Sequence, residues 1–124
     1  MTIKTFDILK MLENQIHTGY GLSIFKGYKA IDKYGVEKII DELYSNLPED
    51  VKQAREYLKN QNIEIASNKD NIYDSIKNFE IGMDSGFSVS SQYVIIKVRE
   101  IENLLNQIYK NLPNELIKAK NMDK

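Results

Sequence analysis

The chain has 124 residues, of which 42% are hydrophobic and 28% are charged, and its formal net charge is −1. This length and composition are typical of one globular domain and unlike a disordered chain. The near-neutral charge gives no general attraction to nucleic acid or anionic membranes. Cysteine is absent, which excludes disulfides, thiolate metal sites and cysteine nucleophiles.

The sequence also lacks the features of exported or membrane-spanning proteins. The first residues contain no apolar segment typical of a signal peptide, and no run approaches the ~18 apolar residues of a membrane span. We therefore expect a cytoplasmic protein without a membrane partner. Only two of the 17 basic residues are arginine, which disfavours a nucleic-acid partner because arginine is preferred for recognising bases and phosphates.

Two parts of the sequence resemble each other. Residues 5–23 align with 72–90, and residues 28–55 align with 93–120, with identity at 13 of 47 positions. The two prolines of the chain, Pro48 and Pro113, occupy matching positions. We predict a mainly α fold in which residues 1–124 form a single domain from tandem helical repeats, 1–60 and 68–124, related by a pseudo-twofold axis. The alternative is two small lobes on a flexible linker, although one repeat alone has little core.

Each repeat is predicted to begin with an amphipathic helix, because apolar residues recur at helical spacing. These residues are Phe6, Leu9, Leu12 and Ile16 in the first repeat and Ile72, Ile76, Phe79 and Met83 in the second. Thr2 or Thr5 is the expected N-cap of the first helix. Gly19 and Gly86 are the expected C-caps.

An extended segment follows in each repeat, at residues 21–31 and 87–98. The sequence Tyr93-Val94-Ile95-Ile96 has high strand propensity. Because a lone strand cannot satisfy its backbone groups, we predict a short two-stranded β pair between the repeats. The alternatives left open are that these segments are loops, or that the next helix already starts at Tyr93.

The next helix has the clearest pattern in both repeats. Its apolar positions are Val36, Ile39, Ile40, Leu43 and Leu47, and then Ile101, Leu104, Leu105, Ile108 and Leu112. Asp32 is the expected N-cap of the first copy, and Lys97 replaces it in the second. Because proline suits a first helical turn, Asn-Leu-Pro predicts a kink or tight turn into a third helix in each repeat. Residues 60–71 are polar and form the predicted linker.

Few residues suggest chemistry. Glu13 and His17, four apart on a helix, match Glu80 and Asp84 in the second repeat, and together they could hold a metal ion. A solvated helix face with local charge pairs is the simpler interpretation, and we expect no metal or cofactor. The glycines at 19–27 lack the Gly-Lys-Ser/Thr of a phosphate loop. One histidine provides no convincing catalytic set, so we expect no enzyme.

The tyrosines are the candidate partner-binding residues. Tyrosine is frequent at interfaces because it offers a large contact area with a polar tip. Packing at the contact between the repeats is the simpler explanation of the recurring tyrosines. Tyr20, Tyr34 and Tyr57 have no tyrosine at the matching position of the second repeat, and we predict that they bind another protein or a second copy of the chain.

Each repeat resembles a small helical module of uncharacterised cyanobacterial and Firmicute proteins, some of them labelled ATP synthase B-subunit-like. The matching residues are Ile31-Asp32, 36–43, Leu47-Pro48-Glu49-Asp50-Val51 and Ala54. The resemblance implies a bacterial, cytoplasmic protein with a role in protein–protein interaction. We therefore predict a non-enzymatic interaction or adaptor protein. The alternative is a small inhibitor that blocks an enzyme, such as an immunity protein, an antitoxin or a phage anti-defence protein.

Overall fold

The computed structural model of the chain describes residues 3–21, 26–66 and 71–122. In chain order the elements are α1 (Lys4–His17), β1 (Tyr20–Gly21), β2 (Tyr28–Asp32), α2 (Lys33–Asn60), α3 (Asn71–Asp84), β3 (Phe87–Ser88), β4 (Tyr93–Lys97), α4 (Val98–Lys110) and α5 (Asn114–Met122). The protein is mainly helical, with one small sheet. Helix, short strand, longer strand and helix follow one another in both halves.

The predicted strands exist, but the sheet is larger than the predicted two-stranded pair. β2 and β4 pair antiparallel over five residues each, from Tyr28 opposite Lys97 to Asp32 opposite Tyr93. The two-residue strands β1 and β3 add to the outer sides, so the order is β1-β2-β4-β3. The outer strands were missed because two residues are too few to show alternation.

Gly19 and Gly86 are required for close packing, and their prediction as C-caps is wrong. The C-cap of α1 is Thr18, and among the described glycines only Gly27 has a positive φ, of 82°. A Cβ at Gly86 would lie 2.6 Å from Val94 Cγ2 and 2.9 Å from the carbonyl oxygen of Ile95. The glycines therefore let each first helix turn closely over the strand of its own half.

The start of α1 is capped from another helix. The expected cap Thr2 lies outside the described residues, and Thr5 lies within the first turn, after the N-cap residue Ile3, which makes no side-chain cap. Asp50 of α2 accepts hydrogen bonds from the Thr5 backbone N–H at 2.7 Å and from its hydroxyl at 2.5 Å. The prediction of a threonine cap is therefore wrong. Asp32, by contrast, caps α2 as predicted, accepting the N–H of Gly35 at 3.2 Å.

The two Asn-Leu-Pro sequences have different structures. α2 continues through Pro48 to Asn60, so the predicted tight turn is wrong there. Before Pro113, α4 ends, and α5 starts after it, as predicted. The preceding asparagines explain the difference: Asn46 donates to the Glu42 carbonyl of its own helix at 2.7 Å, whereas Asn111 donates to Ser75 of α3 at 2.7 Å. The residue matching Ser75 in the first half is isoleucine, which cannot accept such a bond.

α2 ends in a Schellman motif, which directs the chain back to the core. Asn62 has a left-handed φ of 59°, its N–H donates to the Lys59 carbonyl, and the N–H of Ile63 donates to the Leu58 carbonyl at 2.9 Å. Ile63 and Ile65 then pack against the core. The predicted polar linker is thus partly a packed segment, and its residues 67–70 lie outside the described part.

The apolar stripes of all five helices meet in one core with the inner face of the sheet. Leu43 and Ile108, central in their stripes, are fully buried, as the helical spacing predicts. Val94, Ile96 and Ile31 fill the inner face of the sheet. Because these strand residues alternate with others, every second residue of β2 and β4 points away from the helices.

Candidate functional site: the open sheet face and its groove

The outer face of the sheet carries apolar and aromatic side chains that no helix of the described chain covers. Alternation along the strands and the pairing register place Tyr20, Ala30, Ile95 and Phe87 in one line across the four strands. Tyr28 and Lys97 lie on one side of this line, and Asp32 and Tyr93 lie on the other. We call these eight residues the open sheet face.

The open sheet face is unusual because two of its large side chains, at its two edges, are in solvent. Phe87 is 81% exposed and Tyr20 is 71% exposed, and Val89, in the turn after β3, is 62% exposed. Exposed apolar residues occur singly on most proteins, whereas larger contiguous apolar patches are typical of interaction surfaces. The aromatic content agrees with this, since tyrosine and phenylalanine are enriched at interfaces.

A groove of about 770 Å³ continues from this face between α3 and α4. Its apolar lining includes Phe87, Ile95, Ile101 and Leu104, with polar groups at Ser85, Lys97 and Glu100, and its remaining residues are Tyr28, Gly82, Gly86 and Ile96. We call it the α3–α4 groove. A mainly apolar concavity with a few polar groups is the usual form of a binding site.

The two halves differ at this groove in a way that the sequence contains. Gly82 of α3 matches Gln15 of α1, and Glu100 of α4 matches Gly35 of α2. In the first half, the amide nitrogen of Gln15 lies 2.8 Å from the position that a Cβ of residue 35 would take, so Gln15 covers Gly35. In the second half, Gly82 has no side chain, and Leu104 Cδ1 packs where a Cβ of residue 82 would be.

The three predicted tyrosines do not lie on one surface. Tyr20 lies on the open sheet face, and Tyr34, 55% exposed, is the second residue of α2. Tyr57 is near the other end of α2, 23 residues and about 35 Å further along the helix axis. It is half-buried against the core. Of the three, only Tyr20 joins the candidate site.

The four side chains considered for a metal site do not converge. His17 Nε2 lies 3.5 Å from Glu102, and Asp84 lies 3.2 Å from Lys33 Nζ. Across residues 3–21, 26–66 and 71–122, no group of three or more His, Cys, Asp or Glu side chains could hold a metal ion. Because each group has a separate partner, a helix surface with charge pairs describes these residues better than a ligand set.

Glu13 and Glu80 instead belong to contacts between the two halves. The pKa of Tyr44 is raised to about 12, mainly by burial and to a smaller extent by its hydrogen bond to the Glu80 carboxylate. Burial and the nearby Glu13 carboxylate also raise the pKa of Tyr109. Tyr44 further stacks on Tyr73, with ring centroids 6.2 Å apart. These recurring tyrosines therefore serve packing, the simpler interpretation of their repetition.

The glycine-rich segment does not have the form of a nucleotide site. Gly19 precedes β1, Gly21 ends it, and Gly27 precedes β2, so these glycines belong to a strand hairpin. A phosphate loop instead opens a helix whose N-terminus binds the phosphate. Residues 22–25 lie outside the described residues.

Phe87, Val89 and Ile95 are not among the site residues predicted from the sequence. Two sequence features point to this surface. Strand alternation in Tyr93-Val94-Ile95-Ile96 predicts that Ile95 faces opposite to its neighbours, and Gly82 stands where the first half has Gln15. The alternation was not read as an exposed face because all four residues are apolar or aromatic, which suggests burial on both faces.

Comparison with known proteins finds no match among protein-family models, curated proteins or solved structures. Within the part of the chain that the structure describes, no helix has the length and apolar character needed to cross a bilayer.

Proposed function

We propose that this chain is a non-enzymatic protein-binding module that contacts its partner through the open sheet face and the α3–α4 groove. The observation that carries the proposal is the group of solvent-exposed apolar side chains, Phe87, Tyr20 and Val89, on a sheet covered by helices on one side only. Burying such side chains contributes about 25 cal/mol per Å², and fully burying an aromatic side chain contributes roughly 1.5–3 kcal/mol.

The groove supports the same role by offering a place for a side chain of the partner. Interfaces derive much of their binding energy from a few large residues that enter desolvated pockets. Lys97 and Glu100 at the groove provide opposite charges that would orient the partner. The cytoplasmic location and the bacterial origin implied by the resemblance stay predictions.

A photo-crosslinking amino acid at position 87 tests the proposal in cells. The matched control carries it at Met11, an exposed apolar residue of α1 that lies on neither the sheet nor the groove. We expect one defined crosslinked protein from position 87 and none from position 11. Equal background from both positions would contradict a binding role for this surface.

The captured protein then allows a quantitative test. Phe87→Ser should weaken its binding at least tenfold, equivalent to about 1.4 kcal/mol. Ile81→Ser, which removes an exposed apolar side chain from α3, should change binding less than twofold. If the captured protein is an enzyme and loses turnover in the complex, the inhibitor alternative applies instead of the adaptor role.

We also propose that the fold is a duplicated unit with a pseudo-twofold axis through the sheet. The pairing of Ala30 with Ile95, which are matching positions of the two repeats, supports this. The reciprocal contacts of Tyr44 with Glu80 and of Tyr109 with Glu13 add support, because both partners recur in both repeats. Superposing residues 5–55 on 72–120 in an experimentally determined structure tests it, and different helix arrangements would refute it.

A further inference from the structure

The open sheet face carries opposite charges at two diagonal corners. Tyr28 pairs with Lys97 at one end of the β2–β4 ladder, and Asp32 pairs with Tyr93 at the other end. Lys97 is four residues further along β4 than Tyr93, which separates it from Asp32 by roughly 14 Å at ordinary strand spacings. The two charges therefore cannot pair with each other within one chain. Asp32 instead accepts from the N–H of Gly35 at 3.2 Å and from the side-chain amide of Gln92 at 3.5 Å, and Lys97 lines the α3–α4 groove together with Glu100.

We propose that the occupant of the open sheet face is a second copy of this chain, packed sheet against sheet about a twofold axis. This inference rests on the proposed function and names the partner of the same surface. The axis runs across the strands, perpendicular to the line from Asp32 to Lys97. A rotation of 180° about this axis places the Asp32 of each copy opposite the Lys97 of the other copy. The Asp32–Lys97 pair therefore forms twice in the dimer.

The same rotation makes the apolar line self-complementary. The line from Tyr20 through Ala30 and Ile95 to Phe87 lies close to the axis, so each of its ends meets the same end in the other copy. Twofold interfaces have this isologous form. The strands of the two sheets would cross at about 40°, near the ~30° at which two sheets commonly pack face to face.

The size of the surface sets the expected affinity. Two strands of five residues and two of two residues, about 4.8 Å apart, cover on the order of 200 Å². This is far less than the ~800 Å² per partner of a standard interface, and it predicts a weak dimer that dissociates readily on dilution.

Sedimentation equilibrium from about 5 to 500 µM tests the proposal. We expect a reversible monomer–dimer equilibrium in which Ile95→Lys, at the centre of the face, raises the dissociation constant at least tenfold. Ile81→Lys is the matched control because it places the same charge on an exposed isoleucine of α3, and it should change the constant less than twofold. Circular dichroism checks that both variants are folded.

A double-mutant cycle tests the geometry. Asp32→Asn removes the charge and keeps an N-cap of similar quality for α2, and Lys97→Gln removes the opposite charge. At low salt each change should raise the dissociation constant about three- to tenfold, and the double variant should be no weaker than either single variant. Additive losses would overturn this arrangement of the two copies.

Two further results would overturn the proposal. A monomer at every concentration would exclude the second copy as the occupant, whereas crosslinking of a different protein at Phe87 would leave the proposed binding function intact. A dimer that Ile81→Lys disrupts and Ile95→Lys does not would place the interface on α3.

Discussion

Replacing Asp50 by alanine should remove the cap of α1 and strongly destabilise the fold. The side chain of Asp50 is 3% exposed, and one of its oxygens accepts both the backbone N–H and the hydroxyl of Thr5. The N-cap residue Ile3 offers no side-chain oxygen of its own. Asp50→Ala therefore leaves an unpaired N–H and an unpaired hydroxyl in a buried place.

The magnitude follows from these contacts. Hydrogen bonds to a charged group contribute about 1.5–3 kcal/mol each, and a carboxylate at a helix N-terminus adds roughly 0.3–1 kcal/mol. Removing the desolvation cost of the buried carboxylate offsets part of this loss. We expect Asp50→Ala to lower the free energy of unfolding by about 3–5 kcal/mol, as for other broken buried polar pairs. Thr5→Val, which keeps the backbone bond, should cost about 1–2 kcal/mol.

Urea denaturation followed by circular dichroism measures both changes and their double variant. Glu49→Ala is the control, because it removes an exposed carboxylate one residue away and should stay within about 0.5 kcal/mol of wild type. The double variant should lose clearly less than the sum of the single losses. A loss below about 1 kcal/mol for Asp50→Ala would mean that this carboxylate does not hold the start of α1.

Three further predictions concern packing and pH. Gly86→Ala should cost about 1–3 kcal/mol in urea melts, because its Cβ would meet the strand backbone, and a neutral result would refute that close contact. Leu43→Ala and Ile108→Ala should each cost roughly 2–4 kcal/mol, and losses under about 1 kcal/mol would place those helix faces in solvent. Because the pKa of Tyr44 is raised from 10.0 to about 12, its contribution to stability is complete below pH 10 and is lost as the pH rises from 10 to 12. Tyr44→Phe should therefore flatten the stability profile in that window, and unchanged steepness would mean that burial and the Glu80 hydrogen bond do not raise the pKa of Tyr44.

The sequence by itself determined the helices and most of the core. A helical period of 3.6 residues places Leu43 and Ile108 inside whatever the helix packs against, so their burial needed no knowledge of neighbours. The capping of α2 by Asp32 is likewise local, because donor and acceptor are three residues apart. The pairing of β2 with β4 followed from the need of two short strands to satisfy each other's backbone groups.

Only the tertiary structure decided the features that depend on distant partners. Asp50 lies within α2, and its carboxylate holds the start of α1, 45 residues away along the chain. The two Asn-Leu-Pro sequences differ because Ser75 is available to Asn111 and no equivalent is available to Asn46.

The open sheet face also depends on the tertiary structure, because apolar strand residues look alike in the sequence whether they are buried or exposed. Ile96 faces the helices and its neighbour Ile95 faces outward, and the difference arises from which side of the sheet the helices cover. Hydrophobic patterning follows local geometry, whereas exposure depends on the whole packing arrangement. For that reason the mainly helical character of this protein could be predicted from its sequence, and the open sheet face became visible only in its structure.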